Sequence, residues 1–595
     1  MASVLVPGYG IGELAGRWKG GDDLIHRIGH SLGYGLAVDT AVLVIETTGF
    51  RFGGIALVGL DVYSLYFLVA LGAVMYLVAV VRRRRVAGLP RVDKESIGVL
   101  GCVAVIGAIA WLYFVSYPIF PRDYNPDFIA LVGSPRELIS GTLTSIPRLV
   151  LYGAGYYQTA AAFLAVGSTG IQTAQVSMSI LATLSPTLVY ATTLSLTGDK
   201  RSGLLVTAIY SLSGSIWTQM VFVDGLYPNF VGTLLELVLL VTFIDLAKNP
   251  RSRSLWLLSA PVVLAAYFSH YSVLSVFGTF AILSLALAMM RSPQFKGTAV
   301  ATIAFLIPGA LGALAFRRQL DLALVISYTS GAPQPLTTYL SKALSFLPSI
   351  AYLAFDVRND IGFLAAITLL AFSLYRGYKR KDYAILPFAI WFFALLIASP
   401  QDYAAWRFEL EAIMPLTILA GYGLNSMIPS TRARKQARLR KGDPYKFAAV
   451  MFVLLFLTPI VATGWASSFT QSLALESGKQ ATVQSQVNAT MTWLEENTPP
   501  SSSFLSVTDP TFLYSALQIG HNCTYEYMGN ETQAISYARS NGLSYIIVTK
   551  HDVFFSQVLQ PANDSAPYLP WFTYKPTAGV TLVYYNPNVR VFQVS

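Results

Sequence analysis

Apolar runs of about twenty residues, long enough to cross a hydrocarbon core, alternate along this chain with short polar loops. Read this way, the sequence predicts about thirteen helical spans, at roughly 31–47, 56–80, 97–117, 172–196, 203–221, 227–246, 255–269, 271–290, 298–316, 362–375, 383–399, 409–427 and 446–464. A shorter apolar piece, Leu149 to Val166, is expected to lie at the interface or dip into it. After Thr463 the pattern changes, and from about residue 466 the chain is polar and rich in Ser, Thr, Asn, Tyr and Pro. There an amphipathic stretch from Gly478 to Glu496 precedes the run SFLSV, a short helix expected near Pro510 to Leu517, and the runs SYIIVT, TLVYY and VRVFQV. The expected fold is therefore an α-helical polytopic membrane protein with a small carboxyl-terminal α/β domain. Its segments are 1–95, an amino-terminal stretch and hairpin of spans; 96–465, a transmembrane core with large loops 118–171 and 317–361; and 466–595, the soluble domain.

The loops divide by charge. Arg82 to Arg85, Lys200 with Arg201, Lys248 with Arg251 and Arg253, Lys379 to Lys381, and the block from Arg432 to Lys446 all fall on alternate loops, which marks those loops as cytoplasmic. The amino terminus is then cytoplasmic and the carboxyl-terminal domain extracytoplasmic, in a multi-pass protein of the plasma membrane. All four Asn-x-Ser/Thr acceptor sequences, at Asn488, Asn522, Asn530 and Asn563, sit in the outer tail, in keeping with that orientation. With 54% hydrophobic and 12% charged residues, the composition excludes a soluble enzyme. The net charge of +10 resides mainly in loops beside spans, where insertion accounts for it, so no nucleic-acid partner is expected. Cys102 and Cys523 fall in different environments and are not expected to pair. No cleavable-signal pattern opens the sequence, and Gly8, Gly10, Gly12 and Gly16 mimic a dinucleotide loop without the preceding strand that such a loop needs.

Chemistry is expected on the outer face. The loop YPIFPRDYNPDFIALVGSPRELISG holds Arg122, Asp123, Asp127, Arg136 and Glu137, and a carboxylate beside a low-dielectric wall is placed to act as general base toward a hydroxyl or amine. The same residue types also suit a solvated loop with a helix start at Ser134-Pro135. Asp224 occupies a short Asp-Gly turn, and His270 lies in SHYS at the outer junction of two spans. DYAAWRFELEAIMP puts Asp402, Arg407, Glu409 and Glu411 at the outer mouth of a span, where an arginine clamps phosphate with paired donors or snorkels to the interface. The loop from Arg317 to Asp360 is long enough to cover a site. Phosphate-binding G-x-x-x-x-G-K-[ST], zinc-ligand and G-x-S-x-G patterns are missing.

From about residue 97 onward the sequence resembles the GT-C superfamily of membrane glycosyltransferases. PDFIALVGSPRELISG is similar to that group's first outer loop, with Asp127 and Gly141 at the matching places and Leu131 near the position where a His often follows. GLYPNFVGTLLEL and LAAYFSHYS are similar to archaeal members, and WRFELEAIMPLTILAGYGL resembles the late span whose Arg meets the lipid phosphate. TWLEENTPPSSSFLSV resembles the outer-domain start in archaeal relatives of protein mannosyltransferase and oligosaccharyltransferase, although W-W-D-Y-G is absent. The early RIGHSLGYGLAV hairpin resembles an extra pair of spans seen ahead of the core in some archaeal membrane proteins.

The resemblance implies transfer of a sugar from a polyprenyl-phosphate donor to a glycan, protein or lipid acceptor. It implies Asp127, with Asp123 beside it, as base, and Arg407 on the donor phosphate. Asp224, His270, Glu137 and Arg136 would support the site, and Asp127 with Asp224 would hold any divalent ion such as Mg²⁺ or Mn²⁺. A carrier or flippase for lipid-linked sugars and a non-catalytic scaffold on the same frame are the alternatives. A carrier should place ionisable residues near span midplanes, whereas the charges here are expected to avoid span centres.

Overall fold

A computed structural model describes residues 2–18, 23–49, 62–83, 90–116, 156, 159, 170–212, 227–269, 283, 297–315, 360–380, 385–398, 405–427, 489–499, 501–507, 522–525, 531–549, 579–587 and 589–595. Helices α1 (Ala2–Leu14), α2 (Leu24–Gly49), α3 (Val62–Arg83), α4 (Lys94–Ser116), α5 (Gly170–Thr197) and α6 (Lys200–Leu212) are followed by α7 (Tyr227–Lys248), α8 (Arg253–Tyr267), α9 (Thr298–Ala315), α10 (Asp360–Arg380), α11 (Leu386–Ala398) and α12 (Ala405–Met427). The expected spans 271–290 and 446–464, most of the two large loops, and the helix expected near Pro510 lie outside the described residues. Among those described, Lys94–Trp111, Val176–Thr197 and Tyr227–Lys248 are long and apolar enough to cross a membrane. Tyr66, Phe67, Leu77 and Val81 of α3 and Ile97 and Trp111 of α4 are exposed, an outward apolar face suited to lipid. The chain is a membrane protein.

At the centre stands α7, buried on every side from Tyr227 to Ala247, as expected for a helix that is apolar all round. In lipid the hydrophobic effect does not draw helices together, so association depends on close packing and polar links. Proline breaks are met by hydroxyls. Pro186 in α5 cannot donate to the Ala182 carbonyl, and the Ser185 hydroxyl donates to it instead at 2.8 Å. Pro308 in α9 frees the Ala304 carbonyl, toward which Ser259 of α8 reaches at 3.5 Å.

The amino-terminal glycines have a structural use that their sequence pattern does not reveal. Gly8, Gly10 and Gly12 lie in α1, packed against α2 and α3, and a Cβ at Gly8 would enter the Ser31 carbonyl, at Gly10 the Gly72 carbonyl and at Gly12 the Trp18 indole. Gly35 of α2 meets the Val4 carbonyl in the same way. Backbone-to-backbone approach, not phosphate binding, is what these glycines permit.

Among the described residues, the segments around 17–24, 91–93, 199–201 and 245–254 and the end of α12 gather at one end of the bundle. Leu24 donates to the Arg91 carbonyl, Lys200 pairs with Asp93, Arg17 pairs with Asp245, Ser254 reaches the Ala15 carbonyl, and Asn425 reaches Asp199. We call this the basic end.

The expectation that charges avoid span centres is corrected by the structure. Asp39 lies well inside α2 at 3% exposure and Glu236 well inside α7 at 1%. Hydropathy averaged over a span absorbs a single carboxyl, and a bundle interior shelters it from lipid.

The carboxyl-terminal residues build a five-stranded sheet in the order β2-β1-β3-β5-β4. Its strands are β1 (Ser503–Ser506), β2 (Asn522–Tyr525), β3 (Tyr545–Thr549), β4 (Val580–Tyr585) and β5 (Val589–Val594), with helix α13 (Glu531–Ser540) between β2 and β3. β1 runs parallel to β2 and β3, while β5 runs antiparallel to β3 and β4. Alternate residues serve two cores: Leu505, Ile546 and Phe592 pack with Ala534 and Ala538 of α13, and Phe504, Ile547 and Val591 pack with Met491 and Leu494. Burial on both faces explains why β1, β3 and β5 read as apolar runs. β2 and α13 carry no such run and are not marked by the pattern.

Candidate functional site

The starts of α7 and α12 lie at the end of the bundle opposite the basic end, and they bring together residues far apart in sequence. On α7, Asn229, Thr233 and Glu236 follow the i, i+4, i+7 spacing of one helix face. Thr233 returns its hydroxyl to the Asn229 backbone carbonyl at 2.8 Å, and the Asn229 side-chain amide donates to Glu411 Oε1 of α12 at 2.9 Å. Glu411 is 1% exposed. It therefore lies inside the bundle, and the open mouth expected for it is a correction. A buried carboxyl group is costly without hydrogen bonds, and the Asn229 amide supplies one here.

Glu236 lies about 10 Å deeper along α7 than Asn229. Neither of its carboxyl oxygens has a hydrogen-bond partner among the described residues. Glu236 and Glu411 thus put two buried carboxyls in the same bundle interior. Above them, the Tyr156 and Tyr227 rings meet with centroids 5.4 Å apart, and both are fully buried.

Position 407 is one helical turn before Glu411 on α12. The backbone thus sets the expected phosphate-binding arginine on the face that, a turn deeper, meets Asn229. Nothing is described of the Arg407 side chain. Asp123, Asp127, Arg136, Glu137, Asp224 and His270 lie outside the described residues, as do Asn488, Asn530 and Asn563, while Asn522 begins β2. Asn229 and Glu236 were not expected in the site. The available signal was a polar pair seven residues apart in an otherwise apolar run.

Asp127 and Asp224, the residues expected to hold Mg²⁺ or Mn²⁺, lie outside the described residues. Among the described residues no group of three His, Cys, Asp or Glu side chains could hold a metal ion, and hard divalent cations want several oxygens.

The basic end carries a separate polar network. Arg17 donates from Nε to the Tyr34 hydroxyl at 2.9 Å while pairing with Asp245, and burial's pull on its guanidinium is outweighed by these two partners, which hold it charged. Tyr190 donates to Asp23 at 2.8 Å, and Lys200 approaches the same carboxylate at 3.8 Å while pairing with Asp93. His26 and His30 share the Ser195 hydroxyl at 3.1 and 2.8 Å. Arg17 and Lys200 are thus matched by carboxylates of other segments, which reads as a structural clasp at this end of the bundle.

No protein-family model and no characterised protein matches the sequence. By structure, the chain is similar to ArnT from Cupriavidus metallidurans bound to undecaprenyl phosphate, with a TM-score of 0.50 at 13% identity over 83% of this chain and 98% of that one. The fold is GT-C. An archaeal oligosaccharyltransferase, AglB from Archaeoglobus fulgidus in complex with an inhibitory peptide and a dolichol-phosphate, is also similar, at a TM-score of 0.45 and 12% identity over 76% of this chain and 69% of that one. In the GT-C bundle of this chain, α7 is the central helix, and the Asn229–Glu411 link ties it to the helix that carries position 407.

Proposed function

We propose that this protein is a membrane glycosyltransferase that moves a sugar from a polyprenyl-phosphate donor to an acceptor on the extracytoplasmic face, at the end where α7 and α12 begin. The observation that carries the reading is the fold similarity to ArnT, which extends over 98% of that chain. ArnT's bound undecaprenyl phosphate supplies the donor class by analogy. A site on the outer face has no access to cytosolic nucleotide sugars, so its activated sugar must arrive on a lipid.

In the proposed reaction Asp127 takes the proton from the acceptor hydroxyl or amine as the new bond forms at the anomeric carbon. The bond from that carbon to the phosphate oxygen breaks, and the polyprenyl phosphate leaves with its negative charge on the Arg407 guanidinium. The transition state is oxocarbenium-like. Asp123, Arg136, Glu137, Asp224 and His270 are proposed to orient donor and acceptor around this pair. Glycan, protein and lipid acceptors all satisfy the chemistry.

The test is transfer from radiolabelled polyprenyl-phosphate monosaccharides to membrane extracts by the purified full chain, beside Asp127→Asn and Arg407→Ala. Expected is a loss of about a hundredfold or more for Asp127→Asn with folding retained, and loss of transfer in Arg407→Ala. Normal transfer by Asp127→Asn would sink the assignment. The second reading, a carrier for lipid-linked sugars, is favoured by one observation: Glu236 lies inside a wholly buried helix with no hydrogen-bond partner for its carboxyl among the described residues, where carriers keep their ionisable groups. Movement of the intact donor across vesicles without sugar release would choose it.

A further inference from the structure

An open groove of about 670 Å³ lies between α1, α2, α3 and α8, on the lipid side of the amino-terminal hairpin. Its walls are apolar, including Leu14, Val38, Leu71, Met75 and Leu257, and Leu257 is 74% exposed. Its mouth is different. Arg82 of α3 and Arg253 of α8 line it together with Ser252 and Ser254, and among the described residues neither arginine forms an ion pair. Ser252 caps α8, its hydroxyl accepting from the Leu255 N–H, so the partial positive charge of that helix start lies at the same mouth. Arg17 and Lys200 pair their charges with Asp245 and Asp93, whereas these two guanidinium groups are exposed and line one apolar groove.

The depth of the groove matches one leaflet. From Arg82 to Leu71, α3 descends about 16 Å at 1.5 Å per residue, roughly half of a ~30 Å hydrocarbon core. A ligand that fits both parts has a negative headgroup at the interface and a hydrocarbon chain about a leaflet long.

We infer that this groove is a binding site for an anionic membrane phospholipid, its phosphate held between Arg82 and Arg253 and one acyl chain laid along the apolar walls. Paired guanidinium groups suit phosphate geometry, and basic pockets at helix ends are where anionic headgroups bind. The site lies at the opposite end of the bundle from position 407, so it does not depend on the glycosyl-transfer reading. Lipid here would fasten α1 and the hairpin to α8.

The experiment is native mass spectrometry of the purified full chain, titrated in detergent with dioleoylphosphatidylglycerol, dioleoylphosphatidylcholine, undecaprenyl phosphate or inorganic phosphate. Expected is saturable retention of phosphatidylglycerol over phosphatidylcholine. In Arg82→Gln/Arg253→Gln it should weaken about thirtyfold, which is about 1 kcal/mol for each arginine. Leu71→Trp, which fills the groove while keeping both arginines, should weaken it too. Arg201→Gln, an exposed change at the same end but away from the groove, should leave it intact. Equal retention of the two phospholipids, or an unchanged double variant that is folded, overturns the assignment. Competition by inorganic phosphate alone would reduce the site to a simple anion site. Tighter arginine-dependent binding of undecaprenyl phosphate would hand the groove to the donor lipid, and either result rejects the phospholipid.

Discussion

Glu411 shows how a single side chain links two helices. Its Oε1 accepts the Asn229 amide at 2.9 Å inside the bundle, where both side chains are buried. Glu411→Ala strands a buried amide and should lower stability by about 1–3 kcal/mol, whereas Glu411→Gln keeps an acceptor and should cost under about 1 kcal/mol. Thermal unfolding in detergent separates the two, and equal midpoints would mean that the link contributes nothing. Position 407 and Glu411 were legible in the sequence because they crowd the start of one span. Asn229 and Glu236 were not, because an apolar run averages away its few polar residues, and only the neighbouring helix reveals what they face.

Two elements deserve separate tests, because each is fixed by a different force. For α1 the force is steric: Gly8 and Gly35 meet the carbonyls of Ser31 and Val4 from opposite helices. Gly8→Ala or Gly35→Ala must push α1 away from α2, at a cost of about 1–3 kcal/mol, while Gly101→Ala, where a Cβ meets nothing, should be tolerated. Limited proteolysis of the amino terminus reads the difference. Hydropathy could not foresee α1, since Gly8, Gly10 and Gly12, which let it pack, weaken its apolar pattern.

For the start of α4 the force is electrostatic. Burial pushes the Asp93 carboxyl up, but its bonds to Lys200 and Ser96 prevail and hold it below the usual carboxylate value; Lys200, despite its own burial, is raised by Asp93 and Asp23. The Asp93 contribution is thus present above an ordinary value near ~3.9 and lost as pH falls through the lowered folded value; that of Lys200 is present below ~10.4 and lost as pH rises through the raised one. Asp93→Asn should cost about 1 kcal/mol or less, because the pair is partly exposed. The gap from the parent should stay constant between about pH 5 and 9 and close below about pH 4. A gap that grows in acid would refute the pairing.

For the whole molecule, the charge pattern and the packing agree on which loops share an end, because both follow from helices that cross and return. The ends of α7 and α12 reach that end, through Asp245 and Asn425, so their starts lie opposite it. Which end faces the cytosol rests on the charge bias, and it decides the chemistry, since an inverted protein would present Asp127 to nucleotide sugars. A cysteine at position 201, at the basic end, should react with an impermeant maleimide only after permeabilisation, whereas one at Asn541, exposed after α13, should react in intact cells. The native background is low on physical grounds: burial pushes the Cys523 thiol up to about 12, leaving a thiolate fraction near ~10⁻⁵ at neutral pH. Labelling of Arg201→Cys in intact cells would invert the topology, move the Arg82 groove to the outer leaflet, and replace the lipid-linked donor with a soluble one.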